Sequence, residues 1–388
     1  MRRIIPKTIC QSKLREMEVS GNMENKKTVA TITYHRSDNF GSVLQAYALG
    51  EKLRQMGYEQ FNIDYRRKEV AQVYQIFQPL TSKFNVITNC YHLLHYAPLK
   101  RRQRRYEQFR QKWLRLSRVY SEKRDLMENP PAADAYITGS DQVWGTRLKD
   151  YDDSFVLDFV KQGRKISYAA SGINRHTTEE TLEPIKKHVV SFDGVSVREN
   201  LIRERLETVC PVSVRIDPVL LLQKRDWEKL CTPQKRKKPF MLCYFAGGVS
   251  AAFEAFTRQK AAELGLERVI LMPEWRNLFR SGCNCYDAGP EEFVSLIQQA
   301  DLICTNSFHG TAFSVLLNKP FLVGQAEPFQ DDRIGTLLGT VGLKEREIDP
   351  AHPVLPELLE IDFTEVNQKL AQLRQRDADW LRQQIEGE

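Results

Sequence analysis

The sequence predicts an α/β protein with two Rossmann-like domains facing a cleft and a helical insertion in the first domain. Two features of the 388 residues lead to this prediction. Short β-rich runs alternate with segments of helical periodicity in two separate series, which is typical of parallel sheets covered by helices on both faces. A basic stretch that ends in proline, residues 235–239, separates the two series.

The first series predicts an N-terminal Rossmann-like domain over residues 28–234. Its first unit is a β-rich run at 28–34, a polar turn, a helix at 43–57 and a strand at 61–65. A largely helical insertion over about residues 70–130 interrupts the alternation. The alternation then resumes with strand-like runs at 135–138, 166–170 and 194–197.

The second series predicts a C-terminal Rossmann-like domain over residues 239–350. Strand-like and helical runs alternate at 240–245, 251–264, 269–271, 291–300, 302–305, 311–317 and 321–323. Residues 351–388 predict a C-terminal helical tail with a long polar helix. Residues 1–27 show no periodic pattern, and we expect them to form a disordered extension.

The composition excludes several classes of protein. No apolar run approaches the ~20 residues that a membrane span needs, and no apolar segment of a secretory signal follows the basic first residues. The eight cysteines are scattered without zinc-ligand spacing, so we expect reduced thiols. No cluster of His, Asp and Glu has ligand spacing either, and we expect neither a metal ion nor a cofactor. These features predict a cytoplasmic protein.

Polar clusters follow four of the predicted strands. They are residues 38–41, 139–142, 198–199 and 306–310. Ligands of parallel α/β sheets bind beyond the carboxyl ends of the strands. The recurrence of polar clusters at this position therefore predicts a functional site there.

The same clusters belong to a set of motifs that resembles the polysaccharide pyruvyl transferase family. The similar runs, in the family's order, are 35–47, 139–144, 167–171, 197–199, 217–218 and 305–310. The resemblance spans about residues 28–325. It implies a GT-B-like fold, phosphoenolpyruvate as the donor substrate, and a hexose acceptor on a surface glycan or its lipid-linked precursor.

The resemblance also implies site residues. Catalysis is assigned to His309 and Arg198, since ketal formation needs a proton donor and a cation, and free histidine has a pKa of about 6.5. Arg198 suits a bidentate contact with an anion. The predicted donor-binding residues are Asn39, Gly41, Arg198, Asn306, Ser307, His309 and Gly310. The predicted acceptor-binding residues are Ser140, Asp141, Gln142 and Trp144, the last as a stacking face.

Each of these residues also has a structural interpretation. A lone histidine near a helix start is usually a core residue, but the position of His309 directly after a strand, among polar residues, favours function. Arg198 also suits a surface ion pair. Asp141 suits a helix cap, and Trp144 suits the core. Residues 38–41 are first of all a turn before a helix.

One position departs from the family pattern. Many members have an arginine where Ser307 stands, two residues before the histidine that matches His309. The donor's charge would then be neutralised by another cation. The candidates are Lys319, Arg333 and Arg36.

Two other functions fit the same fold. One is a GT-B-like glycosyltransferase that uses a nucleotide sugar, and the other is a non-catalytic binding protein. A nucleic-acid-binding role has only the positive charge in its favour, without a recognisable motif.

The net charge of +7 is concentrated in residues 100–118. Tyr106, Phe109, Trp113 and Leu116 predict one apolar stripe of a helix there, surrounded by basic residues, with more apolar residues upstream at 74–94. One interpretation packs the stripe on the domain and leaves the charges in solvent. The other lays residues 100–118 on the anionic inner face of the plasma membrane, as a peripheral contact.

Overall fold

The computed structural model describes residues 26–67, 72, 74–145, 151–172, 177–231, 236, 238–246, 248–271, 283–324, 332–350 and 359–387. Most of the extension predicted at residues 1–27 therefore lies outside the described residues. So do residues 232–234 at the end of the predicted first domain, residues 235 and 237 of the predicted linker, and residues 351–358 at the start of the predicted tail.

Seven parallel strands form the first sheet. They are β1 (Thr28–Ile32), β2 (Glu59–Tyr65), β3 (Leu116–Tyr120), β4 (Ala135–Gly139), β5 (Arg164–Ala170), β6 (Gly194–Val197) and β7 (Ser213–Val214). Their spatial order is β3-β2-β1-β4-β5-β6-β7. The inner strands β1, β4 and β6 of this sheet are almost wholly buried, as expected of parallel strands covered on both faces.

Six parallel strands form the second sheet. They are β8 (Phe240–Tyr244), β9 (Glu267–Leu271), β10 (Cys283–Cys285), β11 (Leu302–Thr305), β12 (Phe321–Gly324) and β13 (Glu347–Ile348). Their order is β10-β9-β8-β11-β12-β13. Both sheets thus have the Rossmann strand order, and the predicted fold class of two Rossmann-like units is confirmed.

Helices connect and cover the strands. Those of the first half are α1 (Phe40–Gln55), α2 (Lys83–Leu94), α3 (Tyr96–Trp113), α4 (Lys123–Glu128), α5 (Glu179–Val189), α6 (Asn200–Leu206), α7 (Pro218–Leu221) and α8 (Lys224–Glu228). Those of the second half are α9 (Ala251–Glu263), α10 (Pro290–Gln299), α11 (Phe308–Leu316), α12 (Asp332–Val341) and α13 (Thr364–Glu386). No helix in these described ranges is long and apolar enough to span a membrane.

Helix α1 lies between the two sheets. Most of its residues are buried on every side, because it packs on the first sheet and also against α10 of the second. The Phe40 ring stacks on Phe293 at 4.5 Å, and Tyr47 meets Trp227 edge to face. One continuous apolar cluster therefore includes residues of both sheets and fixes α1 at their junction.

The predicted insertion is largely helical, but it also contains a strand that the sequence did not predict. Helices α2 and α3 precede β3, which pairs in parallel with β2 at the edge of the first sheet. Leu116 is consequently a strand residue, and the predicted helical stripe ends at Trp113. The segment is thus a long β2–β3 crossover of the Rossmann fold.

The helix of the predicted tail, α13, returns to the first sheet. Asp377 is completely buried there, accepting from the backbone of Ile216 at 2.8 Å and from Arg215 at 3.0 Å. Val366, Leu370, Leu381 and Ile385 join the shared apolar cluster. The C-terminal helix therefore ties the end of the chain to the unit in which it began.

Candidate functional site

The strand order reverses between β1 and β4 in the first sheet and between β8 and β11 in the second. Ligands of open α/β sheets bind at such switch points, outside the carboxyl ends of the strands. In this protein the two sets of strand ends face each other across α1, and their polar side chains meet around one buried carboxylate, that of Asp217.

Asp217 is the centre of a buried polar cluster. It follows β7 and caps α7, with Oδ1 accepting from Val219 N at 2.9 Å. Its Oδ2 accepts from Arg198 Nη1 at 2.6 Å and from Ser140 Oγ at 3.0 Å, and it lies 3.5 Å from His309 Nε2. The carboxylate thus joins residues from three strand ends of the first sheet to a histidine of the second.

The Arg198 guanidinium is held in a fixed position with one donor unused. Its side chain is only 2% exposed. Nη1 donates to Asp217, Nε lies 3.4 Å from Glu199 Oε1, and the guanidinium stacks 4.5 Å above the Phe308 ring. Nη2 has no hydrogen-bond partner among the described residues. A buried, unpartnered cationic donor is costly in the free protein and is typical of an anion-binding site.

His309 lies in the first turn of α11 between Asp217 and the start of α1. A Cβ atom built on Gly41 would lie 2.0 Å from His309 Nδ1, so only glycine admits the imidazole at this position. The N-terminal turns of α1 and α11 therefore approach each other, and both carry backbone N–H groups that favour anions.

The cluster keeps its charges despite burial. Burial alone would raise the pKa of Asp217, but the neighbouring His309 and Arg198 outweigh it and hold that pKa well below its ordinary value. For Arg198, burial would lower the pKa, but the carboxylates of Glu199, Asp217 and Asp141 raise it. The cluster is therefore a paired set of ionised groups rather than a neutral one.

A cavity of about 200 Å³ adjoins this cluster. Its lining includes Arg198, Asp217, Phe308 and Arg333. It lies beyond the ends of β6 and β7, beside α12. The cavity thus presents cations of both halves of the chain to a small ligand.

The family model for polysaccharide pyruvyl transferases matches residues 39–323, which include α1, the Asp217 cluster and α11. The chain belongs to the polysaccharide pyruvyl transferase family. Membership makes it a transferase that acts on a polysaccharide.

Solved structures of other sugar-handling proteins show a weaker likeness. A UDP-GlcNAc 2-epimerase from Neisseria meningitidis bound to UDP-GlcNAc is 11% identical with a TM-score of 0.46, covering 91% of this chain and 94% of that chain. An E. coli heptosyltransferase with ADP is 11% identical with a TM-score of 0.40, covering 90% and 99%. At these scores neither indicates a substrate for this protein. No curated protein matches the chain.

In this pyruvyl transferase family member, several predicted donor-binding residues have structural tasks. Asn39 caps α1, accepting from Ser42 N at 3.3 Å. The Asn306 amide accepts from Ala246 N at 2.7 Å and donates to Gly248 O at 2.6 Å, so it holds the loop after β8. Of these residues, only Arg198, Gly41 and His309 meet at the Asp217 cluster.

Ser307 and Gly310 build the start of α11. Ser307 is the cap of this helix, and its Oγ accepts from Gly310 N at 3.4 Å. A Cβ on Gly310 would lie 2.4 Å from Thr305 Oγ1, so glycine allows the helix to begin directly after β11. The serine that replaces the usual family arginine therefore supplies a cap and no charge.

Of the three proposed substitute cations, only Arg333 lies at the site. Arg36 is already bound to Asp64, with Nε at 2.6 Å from Oδ1, and its Nη1 lies 3.1 Å from Glu107. Lys319 precedes β12, at the end of the second sheet opposite the site. Arg333 instead lines the cavity together with Arg198.

Of the four predicted acceptor-binding residues, Ser140, Asp141 and Gln142 lie at the site, whereas Trp144 lies in the core. Ser140 and Asp141 have positive φ angles of 22° and 64°, a strained backbone of the kind found at functional turns. Asp141 accepts from Ser42 Oγ across the gap to α1. With its amide oxygen turned toward Arg333, Gln142 accepts from Nη1 at 2.8 Å.

Trp144 cannot serve as a stacking face. Its ring is fully buried in the apolar core of the first sheet, and its indole N–H donates to Phe155 O at 3.1 Å. A sugar has no access to the ring, so the predicted stacking role is wrong and the core interpretation is right.

Sequence reasoning missed two residues that shape the site. It placed Asp217 in a motif without giving it a role, although an aspartate before proline at a strand end is a helix-start signal. It counted Arg110 among solvated charges. Arg110 is in fact buried and donates to the carbonyls of His35 and Ser37 at 2.9 and 2.8 Å, which fixes the loop after β1.

The stripe of α3 faces the core. Tyr106 and Phe109 are buried in the shared apolar cluster. The flanking cations Arg105 and Lys112 pair with Asp287, Glu292 and Glu291 of the second unit. The apolar stripe therefore packs on the protein, as the first interpretation expects, and does not itself face outward.

Proposed function

We propose that this protein transfers the pyruvyl group of phosphoenolpyruvate to a hexose of a surface polysaccharide or of its lipid-linked precursor, forming a cyclic ketal. The observation that carries the proposal is the buried Nη2 of Arg198, which has no hydrogen-bond partner among the described residues. Arg198 lines a small cavity together with Asp217, the carboxylate that lies 3.5 Å from His309 Nε2. Family membership supports the pyruvyl group as the cargo.

The size of the cavity favours phosphoenolpyruvate over a nucleotide sugar. A volume of about 200 Å³ falls below the range of about 300–1,000 Å³ that is typical of sites for drug-sized ligands. Arg198 and Arg333 both line it, and they suit a ligand that carries a carboxylate and a phosphate. The proposed donor fits this charge and this size.

The reaction needs one proton at carbon and one departing phosphate. Protonation of C3 of phosphoenolpyruvate turns the methylene into a methyl group and makes C2 electrophilic. A sugar hydroxyl adds to C2, the bond from C2 to the phosphate oxygen breaks, and a second hydroxyl closes the ketal. The two hydroxyl protons balance the proton used at C3 and the one taken up by inorganic phosphate.

His309 is the proposed proton donor. Its Nε2 lies 3.5 Å from Asp217 Oδ2, and this carboxylate orients the ring. Its Nδ1 packs against Gly41, where the starts of α1 and α11 meet. We assign the proton transfer to C3 to the His309 imidazole and the binding of donor oxygens to Arg198.

Asp141 and Gln142 are the proposed acceptor contacts. Both follow β4 at the gap between α1 and α12, and both carry groups that bind sugar hydroxyls. Ser140 lies behind them, fully buried against Asp217, so its proposed role changes from contact to positioning.

The direct test is product formation. The purified protein is incubated with phosphoenolpyruvate and a panel of galactosides, mannosides and glucosamine derivatives, and mass spectrometry follows the addition of a pyruvate ketal. Parallel reactions contain UDP or GDP sugars. A ketal from phosphoenolpyruvate supports the proposal, whereas glycosyl transfer from a nucleotide sugar with no ketal contradicts it.

A further inference from the structure

Two asparagines of helix α2 (Lys83–Leu94) bind the loop that directly precedes the helix. Asn89 exchanges two hydrogen bonds of 2.8 Å with the backbone of Gln78. Asn85 Nδ2 donates to Pro79 O at 2.6 Å. These bonds fix the rotation of the helix relative to that loop, and a different face of the helix is exposed.

That outward face is apolar. Val86, Ile87, Leu93 and Leu94 recur at helical spacing, and their exposed fractions are 47%, 50%, 67% and 80%. Among the described residues, eight of the twelve exposed large apolar side chains lie between residues 77 and 96. The helix therefore leaves an apolar face uncovered by the described residues, and such a patch marks an interaction site.

The surroundings of this face are positively charged. Residues 70–106 contain six lysines and arginines and no aspartate or glutamate. Lys83, Lys100 and Arg104 are exposed and form no ion pair with any described residue. Two copies of such a surface would bring like charges together, which disfavours self-association through it.

We propose that the outward face of α2, with Lys83, Lys100 and Arg104, docks on an anionic lipid membrane. The apolar side chains enter the interface between headgroups and acyl chains, and the cations contact the anionic headgroups. This surface differs from the α3 stripe, which is buried. Since Arg102 Nη2 donates to Asp38 O at 2.8 Å, α3 connects the docking surface to the loop beside the catalytic cluster.

The test is flotation with lipid vesicles. Wild-type protein is mixed with vesicles of phosphatidylcholine alone and with vesicles of phosphatidylcholine and phosphatidylglycerol in equal parts, at low and at high salt. We expect binding to the anionic vesicles and its release by salt, because screening weakens the contribution of the cations.

Two variants separate the apolar from the charged contribution. Val86→Glu with Ile87→Glu should lower the partition coefficient at least about tenfold, since two buried aliphatic side chains are lost. Val190→Glu is the matched control, because Val190 is 58% exposed on a different surface, and its binding should equal wild type. Lys100→Glu with Arg104→Glu should weaken binding to anionic vesicles only. Thermal unfolding of each variant establishes that the fold is kept.

Several outcomes would overturn the proposal. Equal binding to neutral and anionic vesicles would contradict the role of charge, and no binding to either would contradict docking altogether. A wild-type dimer in light scattering that becomes a monomer in the Val86→Glu, Ile87→Glu variant would assign the face to a second copy. None of these results bears on the pyruvyl transfer proposed above.

Discussion

The two sheets contribute differently to the site that they share. Strand ends of the first sheet supply buried, mutually paired charges, namely Arg198, Glu199 and Asp217. The corresponding end of the second sheet supplies one side chain that crosses the gap, His309, while its other polar residues cap a helix or hold a loop. In the proposed reaction, the first unit therefore supplies the groups that bind the anionic donor, and the second supplies the proton donor.

Because the two units contribute differently to the site, substitutions of similar size in them should have unequal effects on activity and stability. Residues that join the two units should matter most for activity, and residues that shape only one unit should matter chiefly for stability. The predictions below run from the largest expected effect to the smallest.

His309→Gln should lower turnover by roughly two to four orders of magnitude, because glutamine keeps a hydrogen bond but supplies no proton. Steady-state kinetics with phosphoenolpyruvate measures the change, and circular dichroism checks the fold. A well-folded variant with near-normal turnover would remove His309 from the mechanism and would leave the second unit without a catalytic side chain.

Gly41→Ala should lower turnover by roughly a hundredfold, because the added Cβ would push the His309 ring out of its position. A misplaced catalytic group of this kind is enough to slow the reaction by that factor. Gly335→Ala is a control at a glycine with no neighbouring atom within contact distance of such a Cβ. Equal activity of the two variants would show that the close approach of α1 and α11 has no part in catalysis.

Stability should depend on pH through Asp217. Its pKa is held below the ordinary value in the folded protein, so the unfolded chain binds the proton more readily. Its contribution is fully present above the unfolded pKa of about 4 and is lost as pH falls through the folded pKa. Urea unfolding should therefore show a steeper loss of unfolding free energy below about pH 5 in wild type than in Asp217→Asn. If the unfolding free energy depends on pH in the same way in both proteins, pairing with His309 and Arg198 does not lower the pKa of Asp217.

Ser307→Ala should have the smallest effect on activity. It removes the cap of α11 and should lower the free energy of unfolding by about 1 kcal/mol, while the affinity for phosphoenolpyruvate stays near that of wild type. Chemical denaturation and calorimetry measure the two quantities. A large loss of donor affinity at unchanged stability would place the Ser307 hydroxyl in the donor site.

The sequence predicted the parts of the fold and site that follow from local patterns. Alternating runs predicted the two parallel sheets, and the ends of strands predicted where Arg198 and His309 lie. The sequence did not predict β3, because its five residues mix exposed and buried positions and follow a long basic helix. It also gave Trp144 and Asn306 ligand-binding roles. Whether a residue at a strand end faces the site or packs inside the protein depends on contacts with distant segments, which the local pattern does not show.

The rotation of α2 and the burial of Arg110 have the same cause. Both depend on hydrogen bonds to loop carbonyls, at Pro79 and Gln78 for α2 and at His35 and Ser37 for Arg110. Every residue has a backbone carbonyl, so the sequence does not show which carbonyls accept these hydrogen bonds. The rotation of α2, or a buried arginine in a basic run, therefore becomes visible only in the folded protein.

The most direct test of the central claim is calorimetric binding of phosphoenolpyruvate to wild type and to Arg198→Lys. Lysine keeps the charge but lacks the fork whose Nη2 is unpartnered, so we expect the dissociation constant to rise at least about tenfold. Arg124→Lys is the matched control, with a side chain that is 82% exposed and remote from the cavity, and its affinity should equal wild type. Equal affinities in all three proteins, or no binding by wild type, would contradict the assignment of this cavity to the donor.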